Sequence, residues 1–131
     1  MLRLEFNYIE SLPDSLWDLE NLTFLDLDFN HLEHISSKIK NLKKLEILVL
    51  SNNFLTELPS EIGALDNLIE LHISDNKITK LPQEIKKLSR LERIFCDIEL
   101  ESDIVEYFGD NDDFIINIYR DENAINIERK F

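Results

Sequence analysis

The sequence repeats itself at a constant offset of 23 residues over most of its length. Each full unit opens with a leucine, carries aliphatic side chains three and five positions later, and has an asparagine at the eighth position after the opening leucine. The opening leucines are Leu22, Leu45, Leu68 and Leu91, and the asparagines are Asn7, Asn30, Asn53 and Asn76. A constant unit length predicts a stack of equivalent coils, each of which buries its apolar side against its neighbours.

The residue types within one unit predict its path. Aliphatic side chains two positions apart, such as Leu48 and Leu50, indicate one buried face of a short strand. The asparagine follows where the chain must turn inside the stack, and a buried peptide group without a partner costs about 1–3 kcal/mol. A side-chain amide both donates and accepts, so we expect a column of asparagines to bond the turns within and between coils. The step Leu58-Pro59 then leads into a loose helical turn.

This pattern resembles the leucine-rich repeat (LRR) family, in the class that reads LxxLxLxxNxLxxLPxxIxxLxx, over residues 1 to about 96. It is similar to small bacterial LRR-only proteins, including those of spirochaetes, and to Ras-suppressor-like LRR proteins. The resemblance implies an α/β fold, a right-handed solenoid with a short parallel sheet on its concave face and loose helical turns on its convex face. It also implies a function in protein–protein interaction.

The register divides the chain into a solenoid and a C-terminal segment. The solenoid comprises a partial unit at 1–21, full units at 22–44, 45–67 and 68–90, and a last strand at 91–96. The repeat stops after Cys96, because Glu99 occupies the asparagine position and a carboxylate cannot donate to the turn.

Residues 97–131 contain 11 acidic and three basic residues, but their pattern is not that of a disordered tail. Ser102 and Asp103 can begin a short helix that Gly109 ends. Residues 114–119 and 124–127 predict two strands around a turn at 121–123. We therefore expect an acidic C-terminal cap, a helix plus a hairpin that covers the last coil.

Composition excludes several classes of partner. The chain of 131 residues has 14 basic and 27 acidic residues, a formal charge of −13, which disfavours binding to nucleic acid and to acidic membrane surfaces. It has no apolar run long enough to insert into a membrane and no signal peptide, which favours a cytoplasmic protein, or a secreted one if an N-terminal segment is missing.

The outward strand positions form two columns that predict a binding surface. Aromatic and aliphatic side chains stand there among charged ones, and exposed apolar patches often mark contact sites. The predicted partner-binding residues are Phe24, Asp26, Ile47, Val49, Glu70, His72, Arg93 and Phe95. Arg3 with Asp26, and Glu70 with Arg93, are expected to lie side by side and to pair. The alternative is that the apolar members only stabilise the sheet or are covered by the C-terminal hairpin.

No enzymatic site, cofactor site or metal site is predicted. No nucleophile–base arrangement or phosphate-binding loop can be identified, and an open concave groove does not exclude water as catalysis usually requires. His31 and His34 are only two potential ligands, and Asp110, Asp112 and Asp113 lack the spacing of a calcium loop. Cys96 lies in an inward leucine position, which indicates a core residue.

The first coil suggests an alternative function. No capping element precedes Leu2 and Leu4, so the first strand presents an unpaired edge, which invites pairing with another chain. A self-assembling unit, a homodimer through the first repeat, is therefore the alternative to a module that binds a protein or peptide. The simpler explanation of the open end is that residues upstream are missing, or that Phe6 and Trp17 shield it.

Overall fold

The computed structural model describes residues 1–110, 112–119 and 122–130. Five short parallel strands follow one another at the repeat interval, and each pairs with the next. They are β1 (Leu2–Arg3), β2 (Phe24–Asp26), β3 (Ile47–Val49), β4 (Glu70–His72) and β5 (Arg93–Asp97). The α/β solenoid expected from the repeat is therefore present, with an open sheet on its concave face.

Single 3-10 turns connect the strands on the convex face. Three of the first four turns follow a proline, whose fixed φ suits the residue before a turn. The remaining turn follows Ser36, whose hydroxyl accepts a hydrogen bond from the Lys38 N–H at 3.1 Å. These turns are Asp14–Asp18, Ser37–Asn41, Ser60–Ala64 and Gln83–Lys87.

The core is a set of aliphatic columns that run along the stack. The 23-residue offset places Leu25, Leu48, Leu71 and Ile94 directly beside one another in the sheet. All four side chains are buried, as is the aliphatic residue in the middle of each of the last three turns, for example Ile62. Because every coil contacts only its neighbours, burial accumulates as the stack lengthens and not within one unit.

Asparagine amides bond the buried turns, and Asn53 shows the pattern. Its Nδ2 donates to the carbonyls of Leu27 (2.9 Å), Leu50 (3.1 Å) and Ser51 (3.0 Å), and its Oδ1 accepts from the Leu32 N–H at 3.0 Å. The first and fourth of these bonds reach the preceding coil. Asn30 and Asn76 repeat the arrangement, whereas the exposed Asn7 donates only within its own coil.

Two buried carboxylates take over where the asparagines end. Asp97 accepts from the backbone N–H of Asp75 at 2.8 Å and of Asn76 at 3.3 Å. Asp103 accepts from the N–H of Leu81 at 2.6 Å. Burial raises the pKa of Asp97, against the lowering effect of these two bonds. A carboxylate cannot donate, but the last turns need acceptors for their N–H groups, and Asp97 and Asp103 supply them.

The C-terminal segment closes the stack with a helix and two strands. A short turn at Ile98–Leu100 leads into helix α1 (Glu101–Phe108), which buries Ile104 and Phe108 in the core. Strands β6 (Phe114–Tyr119) and β7 (Ala124–Arg129) form an antiparallel hairpin.

The hairpin joins the sheet beside the last coil. β7 pairs antiparallel with β5, the strand of the last coil, so the strand order is β1-β2-β3-β4-β5-β7-β6. The buried Ile125 and Ile127 continue the inward face of β5, which explains why the hairpin lies in the sheet. Position 111 of the acidic loop and position 121 of the hairpin turn lie outside the described residues. In the described part of the chain, the helices are too short or too polar to cross a bilayer.

We predict that Asn53→Ala lowers the free energy of unfolding by about 2–4 kcal/mol, because it leaves the N–H of Leu32 and several carbonyls buried without partners. Asn7→Ala, at the same position of the first coil but exposed, is the matched control and should cost less than about 1 kcal/mol. Urea denaturation followed by circular dichroism measures both. Equal losses in the two variants would show that bonds between coils contribute little.

Candidate functional site

The candidate site is the outward face of the parallel sheet. Strand pairing places its residues in two columns, with each member beside the equivalent residue of the next strand. One column is Phe24, Ile47, Glu70 and Arg93, and the other is Asp26, Val49, His72 and Phe95. The structure thus brings together all eight residues that the sequence assigns to this face.

The two phenylalanines at the flanks of this face are half-buried, because neighbouring side chains cover them. The guanidinium of Arg3 lies 5.0 Å from the ring centroid of Phe24. The ring of Phe95 stacks on His72 at 4.4 Å, with 22° between the ring planes. Both contacts fix ring orientation on the sheet, and cation–π and ring-stacking contacts of this kind contribute about 0.5–1.5 kcal/mol each.

Aliphatic side chains occupy the centre of the face. Ile47 and Val49 point outward from β3, the middle strand of the five, and both are half-buried. Neighbouring strands lie about 4.8 Å apart, so the two side chains meet the side chains of the flanking strands without a deep cavity. The surface is therefore shallow, with an apolar centre and a charged border.

A hydrogen-bonded cluster forms the charged border. The carboxylate of Glu70 accepts from Arg93 and lies 3.2 Å from Nε2 of His72. Burial opposes ionisation of Glu70, but the hydrogen bonds from Arg93 and His72 outweigh it and hold the pKa of this carboxyl below its usual value. The cluster presents a fixed arrangement of opposite charges beside the apolar centre.

Arg3 and Asp26 lie side by side on neighbouring strands as expected, but the expected ion pair between them is absent from the described residues. Arg3 approaches Glu5 at 3.8 Å, not Asp26. Asp26 instead accepts from the backbone N–H of Asp28 at 3.0 Å. The local hydrogen bond orients the carboxylate along its own strand, so its side chain closes the turn and leaves Arg3 to the ring of Phe24.

The hairpin enlarges this face instead of covering it. In the pairing of β5 with β7, Arg93 lies beside Glu128 and Phe95 beside Asn126. Ile115 of β6 lies beside Glu128 in turn and is exposed. The two columns therefore continue onto two further strands, which add polar groups on the C-terminal side.

Sequence reasoning missed a cluster of exposed aromatic residues at the turn that follows each strand. The residue before each column asparagine has positive φ: Phe6 (56°), Phe29 (51°), Asn52 (52°) and Asp75 (55°). Asn and Asp adopt this conformation readily, whereas a bulky side chain pays about 1–2 kcal/mol for it. Two phenylalanines in this position are the signal that could have found the cluster, since strained backbone often accompanies function.

A second column, two residues further along each unit, completes the cluster. Tyr8 contacts His31 edge-on at 5.4 Å between ring centroids, and His31 lies 5.5 Å from Phe54. Phe6 stacks on Phe29 at 4.6 Å. We call these five residues the aromatic ridge: Phe6, Tyr8, Phe29, His31 and Phe54. A groove of about 480 Å³ is lined by both columns of the ridge.

The other residues that could be considered for catalysis or metal binding are held in packing contacts. Cys96 is buried, and this burial together with the charge of Asp97 raises the pKa of its thiol to about 12, so the thiol is not a nucleophile. His31 belongs to the aromatic ridge. Among the residues that the structure describes, no three His, Cys, Asp or Glu side chains converge as a metal site would require.

Comparison with known proteins extends the sequence evidence. A family profile described as Leucine rich repeat matches residues 43–95, and a second one with the same description matches residues 21–42. No curated protein matches the chain. A solved structure of an LRR protein from Leptospira interrogans is 35% identical, with a TM-score of 0.76 over 82% of this chain. The chain spans 29% of the length of that structure.

We predict that Glu70→Gln lowers stability at neutral pH by about 0.5–1 kcal/mol, the range of an ion pair in which one partner, here Arg93, is exposed to solvent. Because the pKa of Glu70 is lowered in the folded protein, its contribution is present above the ordinary glutamate pKa and is lost as pH falls through the folded-state value. The stability difference between wild type and variant should therefore narrow as the pH falls below the ordinary glutamate pKa.

Urea denaturation between pH 3 and pH 7 measures this difference. Glu57→Gln is the control, since its exposed carboxylate belongs to none of the ion pairs of the described residues. A difference for Glu70→Gln that does not change with pH would contradict the prediction.

Proposed function

The chain belongs to the leucine-rich repeat family, and from this premise we propose that it is a non-enzymatic module that binds a protein or peptide on its concave face. Leucine-rich repeats generally mediate protein–protein interaction, and proteins of this fold are typically not enzymes. The proposal adds a surface and a set of residues to that general role.

One observation carries the proposal. The concave face combines an apolar centre at Ile47 and Val49 with a charged, hydrogen-bonded border at Glu70 and Arg93. Buried apolar contact supplies most of the free energy of association, and fixed polar groups around it select the partner. A sheet that served only to stabilise the solenoid would not need a buttressed charge cluster on its outward side.

Each residue of the face has a proposed role. The aliphatic pair at the centre and the rings of Phe24 and Phe95 supply the apolar contact area. Asp26, His72 and the cluster around Glu70 orient the partner through hydrogen bonds and charge. The partner therefore presents an apolar segment with donors and acceptors on either side, as an extended peptide or a surface loop does.

We predict that Phe24→Ala/Phe95→Ala reduces partner capture at least tenfold, because truncating two aromatic anchors of an interface costs more than about 1 kcal/mol each. The experiment is a pull-down from lysate of the source organism, quantified by mass spectrometry. The wild type and the double variant are compared at equal concentration.

Lys40→Ala/Lys87→Ala, on the exposed convex turns, is the control and should capture the same proteins as the wild type. A thermal melt of each variant separates binding from folding. Capture that is unchanged in Phe24→Ala/Phe95→Ala, or lost equally in the convex control, would refute the concave face as the binding surface.

The homodimer through the first repeat is a second candidate. The exposed side chains of Met1 and Leu19 at that end support it. Sedimentation over a hundredfold range of concentration tests it, since a monomer at all concentrations would refute it. The cytoplasmic location and the bacterial origin stay predictions from the sequence.

A further inference from the structure

The aromatic ridge is a surface separate from the concave face, at the edge where each strand turns. Tyr8 is 84% exposed and Phe6 is 71% exposed. Phe29 and Phe54 each have a neighbour from the coil on either side, yet they are still 45% and 42% exposed. Exposure in the middle of the stack shows that the rings are not core residues left uncovered at one end.

The ridge is not required by the fold. Phe29 has the same positive φ as Asn52, which stands one coil later and donates to the carboxylate of Asp28 at 3.0 Å. An asparagine thus satisfies this turn with less backbone strain. The phenylalanine at position 29 therefore needs a reason other than the stability of the turn.

The charge around the ridge identifies the class of partner. Residues 1–35, which hold four of the five rings, contain eight acidic residues and a single basic residue, Arg3. The carboxylate of Asp28 accepts from the backbone N–H of Phe29 at 3.0 Å, and Glu10 and Glu33 line a depression together with His31 and Phe54. None of these three carboxylates is in an ion pair within the described residues.

Cations already lie over ring faces in this chain, both on the ridge and outside it. The ammonium of Lys77 lies 5.1 Å from the ring centroid of Phe54, at the C-terminal end of the ridge, and Arg129 lies 5.0 Å from Phe114. Rings beside carboxylates that are in no ion pair favour a planar and weakly hydrated cation. Such a cation stacks on a ring and bonds a carboxylate at the same time. Among protein side chains, arginine has these properties.

We propose that the aromatic ridge is a second docking surface, which takes arginine side chains of a protein partner. The guanidinium groups stack on the exposed rings and pair with Asp28, Glu10 and Glu33. The site is independent of the concave face, so it holds whether or not the concave face binds a partner.

The test compares two peptides of equal length and charge, six Arg-Gly repeats and six Lys-Gly repeats, each with a fluorescent label. Anisotropy titrations at about 0.15 M salt, where long-range attraction is screened, measure binding to the wild type. We expect the arginine peptide to bind at least fivefold more tightly than the lysine peptide, because stacking distinguishes two cations that charge alone does not. Equal binding of the two peptides would overturn the proposal.

The ridge variant is Phe29→Asn/Phe54→Gln, which leaves the net charge unchanged. It should lose the preference for arginine, while its urea midpoint stays equal to that of the wild type or rises, since the strain at position 29 is relieved. Val105→Gln is the matched control, because it removes a similarly exposed apolar side chain away from the ridge, and it should retain the preference.

Each remaining outcome is decisive. Unchanged binding in the ridge variant, or loss of stability in place of loss of binding, would show that the rings are structural. A dimer that dissociates in the ridge variant would assign the ridge to a second copy of the chain, and binding of neutral cellohexaose in place of the peptides would assign it to sugars. The variant Phe24→Ala/Phe95→Ala should bind the arginine peptide as tightly as the wild type does. Weaker binding would show that the ridge and the concave face form one site.

Discussion

A peptide group that is buried in a turn must find a hydrogen-bond partner, and this requirement underlies the whole structure. Each coil turns sharply where neither a strand ladder nor water can reach its backbone. One side-chain amide per coil meets the need, as Asn53 does for the carbonyls of Leu27 and Leu50 and for the N–H of Leu32. Because the amide links two coils, it fixes the spacing as well as the turn.

Because the coils have a constant length, residues at the same position of successive repeats lie next to one another and form continuous surfaces. Any residue at a given place in the unit lies beside its equivalents, so a short stretch of sequence decides the chemistry of a long column. Outward strand positions form the concave face with Ile47 and Val49 at its centre, and positions around the asparagine form the aromatic ridge. Two surfaces of different character therefore lie side by side on a small protein, without a separate structural element for either.

Structural features that recur in every repeat can be predicted from the sequence, whereas features that occur only once are harder to predict. The family, the sheet register and the neighbours on the concave face follow from the 23-residue offset, since four units report the same constraint. The pairing of β7 with β5 was not predicted, because the inward Ile125 and Ile127 suit either a packed cover or a further strand. Asp97 was not predicted to accept hydrogen bonds from a turn, because it lies two positions before the asparagine position of its unit. The aromatic ridge was missed because backbone φ, not hydropathy, distinguishes Phe29 from an ordinary exposed residue.

The reversal of strand direction at β5 affects how such a gene can change. The outer edge of β5 is paired with β7, which runs the opposite way, so no further parallel strand can join there. Duplication of a 69-nucleotide segment can lengthen the protein only by inserting coils ahead of β5. Such an insertion would widen the sheet while leaving the pairing of β5 with β7 intact, so the number of coils can change without any change at the C-terminal end of the stack.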